Sequence, residues 1–198
     1  MSSHHFVKEG QEPALLILEA LSHELAEPLL EWAPLVVVAD TALADVLQWN
    51  IKIDVVLVQA IRKEEVKAQL LDQFPIEIIT YRDHSDFLSV AFNFLIAKNQ
   101  KALNVMTDAS DSLFISVKPF TEKIQISLFN QHIQWLYISS GHYEKWLPAK
   151  SLIQVIKKED QKIQCTGLLP QQEHWEVEND GMVGIHSDRV FWVGELSE

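Results

Sequence analysis

The feature that most constrains this chain is the alternation of short β-branched runs with helical patterns over its first 120 residues. Pro34 to Ala39 reads PLVVVA, and Asp54 to Val58 reads DVVLV. Runs this apolar suit parallel strands covered on both faces, because a half-exposed strand would alternate with polar residues. Pro13 to Leu18 (PALLIL), Pro75 to Thr80 (PIEIIT) and Ala102 to Met106 (ALNVM) complete five expected strands. Helical stretches lie between them: Ser22 to Trp32, residues 41–49, residues 63–73 and the strongly apolar Ser85 to Ala97. Ser22 opens the first of these and Ser85 is a good N-cap for the last, while Pro28 kinks or divides the first. Strand and helix alternating at this spacing build βαβ units around a parallel sheet. Ligands of such sheets bind beyond the carboxyl ends of the strands. The residues at those ends are Glu19-Ala20, Asp40-Thr41, Gln59, Tyr81-Arg82-Asp83 and Thr107-Asp108.

After residue 120 the pattern changes. Short strands are expected at Lys123 to Phe129, His132 to Ile138, Ser151 to Ile156, Lys162 to Thr166, Trp175 to Glu178 and Arg189 to Val193. Asn130-Gln131, Ser139-Ser140-Gly141, Glu159-Asp160 and Asn179-Asp180-Gly181 supply the turns between them. This is the pattern of an antiparallel sandwich or small barrel. The expected fold class is therefore α/β: an N-terminal parallel-sheet part followed by a C-terminal antiparallel β-sandwich. The expected division is a polar terminus at 1–12, an α/β part at 13–120 and the sandwich at 121–198.

Composition narrows the function classes. Hydrophobic residues make up 47% of the 198, enough for a sizeable core. The net charge of -12, from 28 acidic and 16 basic residues, repels phosphate backbones, so nucleic acid is not an expected partner. Cys165 is the single cysteine, which excludes a disulfide within the chain, and it reads as a small buried residue. No apolar run reaches the roughly 18 residues of a membrane span, and the polar start does not resemble a signal peptide. A cytoplasmic protein is expected. His4-His5 reads as part of a solvated end. The six glycines leave none between Gly10 and Gly141, which excludes a P-loop and a dinucleotide fingerprint.

The chemistry-bearing residues are acids at strand ends. Asp40 ends the second strand, Asp83 and Asp86 straddle His84-Ser85, and Asp108 and Asp111 follow the fifth strand. Carboxylates gathered on one sheet edge can hold magnesium against a polyphosphate. They also suit helix capping, since Asp86 falls in the first turn after Ser85. His84, His142, His174 and His186 show no ligand-like spacing and read as structural or surface residues. His186-Ser187-Asp188 reads as a turn before the last strand, because a catalytic triad is seldom contiguous.

Layout and positions together resemble the thiamine pyrophosphokinases. That family joins an α/β nucleotide-binding part to a C-terminal β-sandwich, and transfers pyrophosphate from ATP to the hydroxyl of thiamine with magnesium as a homodimer. The likeness runs from about Ala14 to Val193. Val37-Val38-Ala39-Asp40 resembles the family's strand before an Asp-Gly-Gly-Ala turn, read here as Asp40-Thr41-Ala42-Leu43. Ile51-Lys52-Ile53-Asp54 resembles Ile-Lys-Pro-Asp. Where the family has Gly-Asp-x-Asp-Ser, this chain has Val58-Gln59-Ala60-Ile61-Arg62, so Gln59 and Ile61 stand where two metal-binding aspartates would be. Asp83-His84-Ser85-Asp86 resembles Asp-x-Thr-Asp, with Ala91 continuing the helix pattern. Asp108-Ala109-Ser110-Asp111-Ser112 shortens a Gly-Gly-Arg-x-Asp-His segment. Thr166-Gly167-Leu168 resembles Thr-Gly-Leu, and Gly184-Ile185-His186-Ser187 falls where a Gly-x-Ser-Asn segment helps hold thiamine.

The resemblance implies Asp86 and Asp111 as catalytic residues. It implies Asp40, Thr41, Asp83 and Ser85 at the nucleotide, His186 and Ser187 at thiamine, and Asp83 and Asp86 at magnesium. ATP and magnesium are the implied cofactors, thiamine or a nucleotide the implied small molecule, and a second copy the implied partner. Ile61 cannot ligate a metal and Gln59 offers only a neutral oxygen, so the expected activity is weak or lost. Two alternatives stay open: an active enzyme with a rearranged magnesium site at Asp40, Asp83, Asp86 and Asp111, and a non-catalytic ligand-binding or interaction protein.

Overall fold

The computed structural model describes residues 12–73, 75–83, 87–108 and 111–196, without the side chain of Asp72. Compact packing divides the chain between Ile126 and Ser127. The first unit holds five parallel strands: β1 (Ala14–Ile17), β2 (Val36–Ala39), β3 (Val55–Gln59), β4 (Glu77–Tyr81) and β5 (Ala102–Met106). They lie in the order β5-β1-β2-β3-β4. Every residue of β1 and β2 is buried, which is why their sequences carry no polar alternation. The chain moves outward from β1 through β4 and then returns to β1's other side as β5. The carboxyl ends of β1 and β5 thus form the topological switch point.

Helices supply the covering layers. Ser22 caps α1 (His23–Leu30), its hydroxyl accepting from the Leu25 amide at 3.2 Å, and the helix runs on through Pro28. Then α2 (Leu43–Val46) tightens into a 3-10 turn at Leu47–Trp49, which Asn50 ends in the left-handed region at φ 53°. After β3 come a 3-10 turn at Ala60–Arg62 and α3 (Lys63–Gln69). The apolar helix α4 (Phe87–Ala97) buries Ala91, Phe92 and Leu95, and α5 (Asp111–Val117), which the sequence pattern did not reveal, buries Leu113, Phe114 and Val117. Val38, Val56 and Val58 pack with Leu43, Val46, Val66 and Leu70 in the core of this unit.

The second unit is an antiparallel sandwich. Its strands are β6 (Gln125–Phe129), β7 (Ile133–Ile138), β8 (His142–Leu147), β9 (Leu152–Ile156), β10 (Ile163–Thr166), β11 (Leu168–Pro170), β12 (Trp175–Val177), β13 (Gly181–Ser187) and β14 (Phe191–Leu196). One layer runs β11-β12-β9-β14-β7-β6, and the other is β10-β13-β8. Tyr143, Val183 and Ile185 from the smaller layer meet Ile153, Val177, Phe191 and Val193 from the larger in one core.

Three of these strands, β8, β11 and β13, were not expected. His186 and Ser187 close β13 and do not form the turn, which falls at Asp188-Arg189. Gly141 makes the entry to β8 possible. Its φ is +70°, and a Cβ would sit 2.5 Å from the Ser187 carbonyl oxygen. No helix among the described residues is long and apolar enough to cross a membrane.

Candidate functional site

Asp40 is the first residue beyond β2, and its amide donates to the Leu57 carbonyl at 2.9 Å. Its side chain is only 2% exposed. A buried carboxylate needs partners that offset its lost hydration. Arg62, from the turn after β3, donates through Nη1 to Oδ2 at 2.9 Å. Tyr81, the last residue of β4, donates its hydroxyl to Oδ1 at 3.3 Å. The rest of the Arg62 guanidinium reaches Glu65, with Nη2 to Oε1 at 3.3 Å. Glu65 first and Asp40 second hold the Arg62 pKa above its ordinary value, while burial lowers it. Burial, then the Asp40 charge, pushes the Tyr81 hydroxyl upward, so it stays a donor.

The switch point is closed in a similar way. The Leu18 amide donates to the Met106 carbonyl at 3.0 Å. The Glu19 carboxylate accepts from the Asp108 amide and from the Thr107 hydroxyl. Glu19 therefore ties the β1 and β5 ends together.

Of the other expected residues, Thr41 follows β2, Asp83 follows β4 and Asp111 opens the helix after β5. Thr41, Asp83 and Asp111 are exposed, and Gln59 is half-buried. Ile61 is 87% exposed. Ser85 and Asp86 lie outside the described residues. Asp54 belongs to the opposite edge, before β3. Its Oδ2 accepts from the Val36 amide at 3.0 Å and its Oδ1 pairs with Lys52 at 2.5 Å, so it fixes β2 against β3. Among the described residues, no three acids or histidines gather at the carboxyl edge of the parallel sheet as a metal would need. The one acid buried there among the described residues, Asp40, is paired with a guanidinium. Gln59, Ile61 and an Asp40 already paired with Arg62 do not fit magnesium.

In the sandwich, the Ser187 hydroxyl accepts from Gln161 Nε2 at 2.8 Å and donates to the Lys162 carbonyl at 2.9 Å. Gln161, buried to 3% exposure, also donates to the Arg189 carbonyl at 3.0 Å. Ser187 thus secures the β13–β14 turn. His186 meets His142, with the two Nδ1 atoms 2.6 Å apart. Glu144 Oε1 lies 3.3 Å from His142 Nε2 and 3.9 Å from His186 Nε2. Beside them a groove of about 340 Å³ is lined by Lys162, Gln164, His186, Ser187 and Asp188. Cys165 is half-buried, and burial pushes its thiol up, away from reactivity. Trp135 is buried, Tyr137 packs edge-on against Trp192 at 5.1 Å, and Trp146 is 58% exposed.

No protein-family model and no curated protein matches the chain. Solved structures do. The thiamin pyrophosphokinase from Geobacillus thermodenitrificans aligns with TM-score 0.71 at 12% identity, over 93% of this chain and 98% of that one. The thiamine pyrophosphokinase from Bacillus subtilis gives 0.66 at 13%, over 93% and 99%. The thiamin pyrophosphokinase from Candida albicans gives 0.64 at 11%, over 94% and 90%. The fold is that of the thiamine pyrophosphokinases. Within this fold, Asp40 directly follows β2.

The partners of Asp40 are what the sequence hid. Arg62 and Tyr81 lie 22 and 41 residues away, and no local spacing links them to it. Glu144 escaped notice, and His142 reads from the sequence only as a structural or surface residue. Their His-x-Glu spacing puts both on one face of a strand, a signal visible only once that segment is known to be a strand.

Proposed function

We propose that this chain is a thiamine pyrophosphokinase-like protein in which pyrophosphate transfer from ATP to thiamine is weak or lost. The observation that carries this is the Arg62–Asp40 pair at 2.9 Å. Phosphoryl-group transfer depends on positive charge arranged around the migrating phosphate. Here the guanidinium at that edge is committed to Asp40 and Glu65, and Gln59 and Ile61 supply no carboxylate. Binding of a small molecule, thiamine or a nucleotide, and pairing of two copies belong to the same proposal. The shared fold and the Thr166-Gly167-Leu168 segment support them. A cytoplasmic setting suits a chain with a single cysteine.

The test incubates the protein with ATP, magnesium and thiamine, and measures thiamine diphosphate and AMP by chromatography. The expected result is no product above the protein-free control. Turnover of about 1 per second or faster, ordinary for an enzyme, overturns the proposal. Thermal shift with each compound alone then separates a ligand-binding protein from an interaction protein, because a ligand stabilises the state that binds it.

A further inference from the structure

The outer face of the smaller sandwich layer carries a cluster of which the family resemblance accounts only for His186. His142 and Glu144 are two apart in β8 and share a face, while Tyr143 between them turns inward and is 5% exposed. His186 and Gly184 bear the same relation in β13, with Ile185 fully buried between them. The antiparallel register sets His186 opposite His142 and Gly184 opposite Glu144. Opposed side chains on adjacent strands lie close enough to act together.

Gly184 keeps the space between them open. A Cβ at that position would lie 3.3 Å from His186 Nε2 and 3.9 Å from Glu144 Cγ. One ligand atom from each of the three side chains lies within 4.8 Å of the other two. A four-coordinate ion with bonds of about 2.1 Å holds neighbouring ligand atoms roughly 3.4 Å apart. The Glu144 oxygen stands 3.3 Å and 3.9 Å from the two Nε2 atoms, on either side of that value. The Nδ1 atoms lie 2.6 Å apart, so the register already brings the two rings together; for both Nε2 atoms to face the ion each Nδ1 carries a proton, so this contact opens on binding.

Two imidazoles and one carboxylate suit a borderline divalent ion, whereas magnesium selects oxygen ligands and retains its water. We propose that His142, Glu144 and His186 bind a zinc-class divalent ion, with a water molecule in the fourth position. The side chains are 49%, 54% and 40% exposed, which leaves the fourth position open to solvent. His186 also lines the groove with Gln164 and Ser187. The test of this site reads metal binding alone, so the proposal stands or falls separately from the loss of pyrophosphate transfer.

The test is calorimetric titration of the full chain with zinc chloride, in a His4→Ala/His5→Ala background that removes the N-terminal histidine pair. One zinc per chain is expected, with binding weakened at least tenfold by His142→Ala and by His186→Ala. Magnesium should give no heat. Gly184→Ala should also weaken zinc, because its methyl group crowds His186, while all three ligands remain. Absence of binding at millimolar zinc overturns the proposal, as does equal affinity in the wild type and in His142→Ala/His186→Ala. Circular dichroism confirms that each variant is folded, as expected for side chains at the surface. In a second readout, cobalt should give the visible spectrum of a four-coordinate ion in the wild type and lose it in His186→Ala.

Discussion

Replacing Arg62 by alanine tests whether this guanidinium stands in for a cation at the sheet edge. Asp40 would keep the Tyr81 hydroxyl at 3.3 Å and lose the arginine at 2.9 Å. Its side chain is 2% exposed, so water cannot readily replace what is removed. A hydrogen bond to a charged group contributes about 1.5–3 kcal/mol, and breaking a fully buried pair costs about 3–5 kcal/mol. Arg62 is itself 37% exposed, so solvent screens its outer side and the lower range applies. The lost contact with exposed Glu65 adds only about 0.3–0.5 kcal/mol. The expected destabilisation is about 2 kcal/mol, or roughly 4–8 °C in Tm for a chain of this size. Urea unfolding followed by circular dichroism measures it. Asp40→Asn in the same chain should recover part of the loss, since a neutral amide is easier to bury than a carboxylate, giving a coupling of about 1–2 kcal/mol. If Arg62→Ala unfolds within 0.5 kcal/mol of the parent, or if adding Asp40→Asn recovers nothing, the pair does not hold this edge.

The same edge allows a gain of function. Gln59→Asp, Ile61→Asp and Arg62→Ser together restore the acidic pattern after β3, and ATP should then raise Tm only when magnesium is present; a shift without magnesium, or none, refutes this. Alkaline pH should reveal Tyr143, whose hydroxyl donates to Glu195 at 2.8 Å and is pushed well above its ordinary pKa by burial and then by the Glu195 charge. The folded pKa is raised, so this contribution is full below the unfolded value of about 10 and falls as pH rises past it. Stability measured between pH 9 and 11 should decline in the parent and less steeply in Tyr143→Phe.

Much of the fold could be read from the chain, because its parallel strands are buried on both faces. Val36-Val37-Val38 and Val55-Val56-Leu57 have no polar alternation to misread, and β1 to β5 lie where the apolar runs place them. The sandwich was harder. β8 reads HYEKWL, with only Tyr143 and Leu147 buried, and its outward residues resemble a loop. β13 starts at a turn glycine and contains another, Gly184, which breaks the apolar rhythm. Those two strands carry the histidine cluster, so overlooking the strands meant overlooking the site. His142 and His186 are 44 residues apart and meet only through antiparallel register.

Asp40 shows why a surviving acid can mislead. Its position at a strand end is correct for a ligand site. Its persistence beside Gln59 and Ile61 invites the idea of a magnesium site with missing members. Yet a carboxylate with 2% exposure needs partners that offset its lost hydration, whether a metal or a side chain. Arg62 supplies the charge permanently, at 2.9 Å, and Tyr81 satisfies the second oxygen. Losing Arg62 would leave Asp40 buried with Tyr81 alone, whereas losing Asp40 leaves Arg62 to Glu65 and solvent. The acid is therefore half of a charge pair that holds the turn after β3 to the end of β2, and Arg62 would have to change for a metal to bind there.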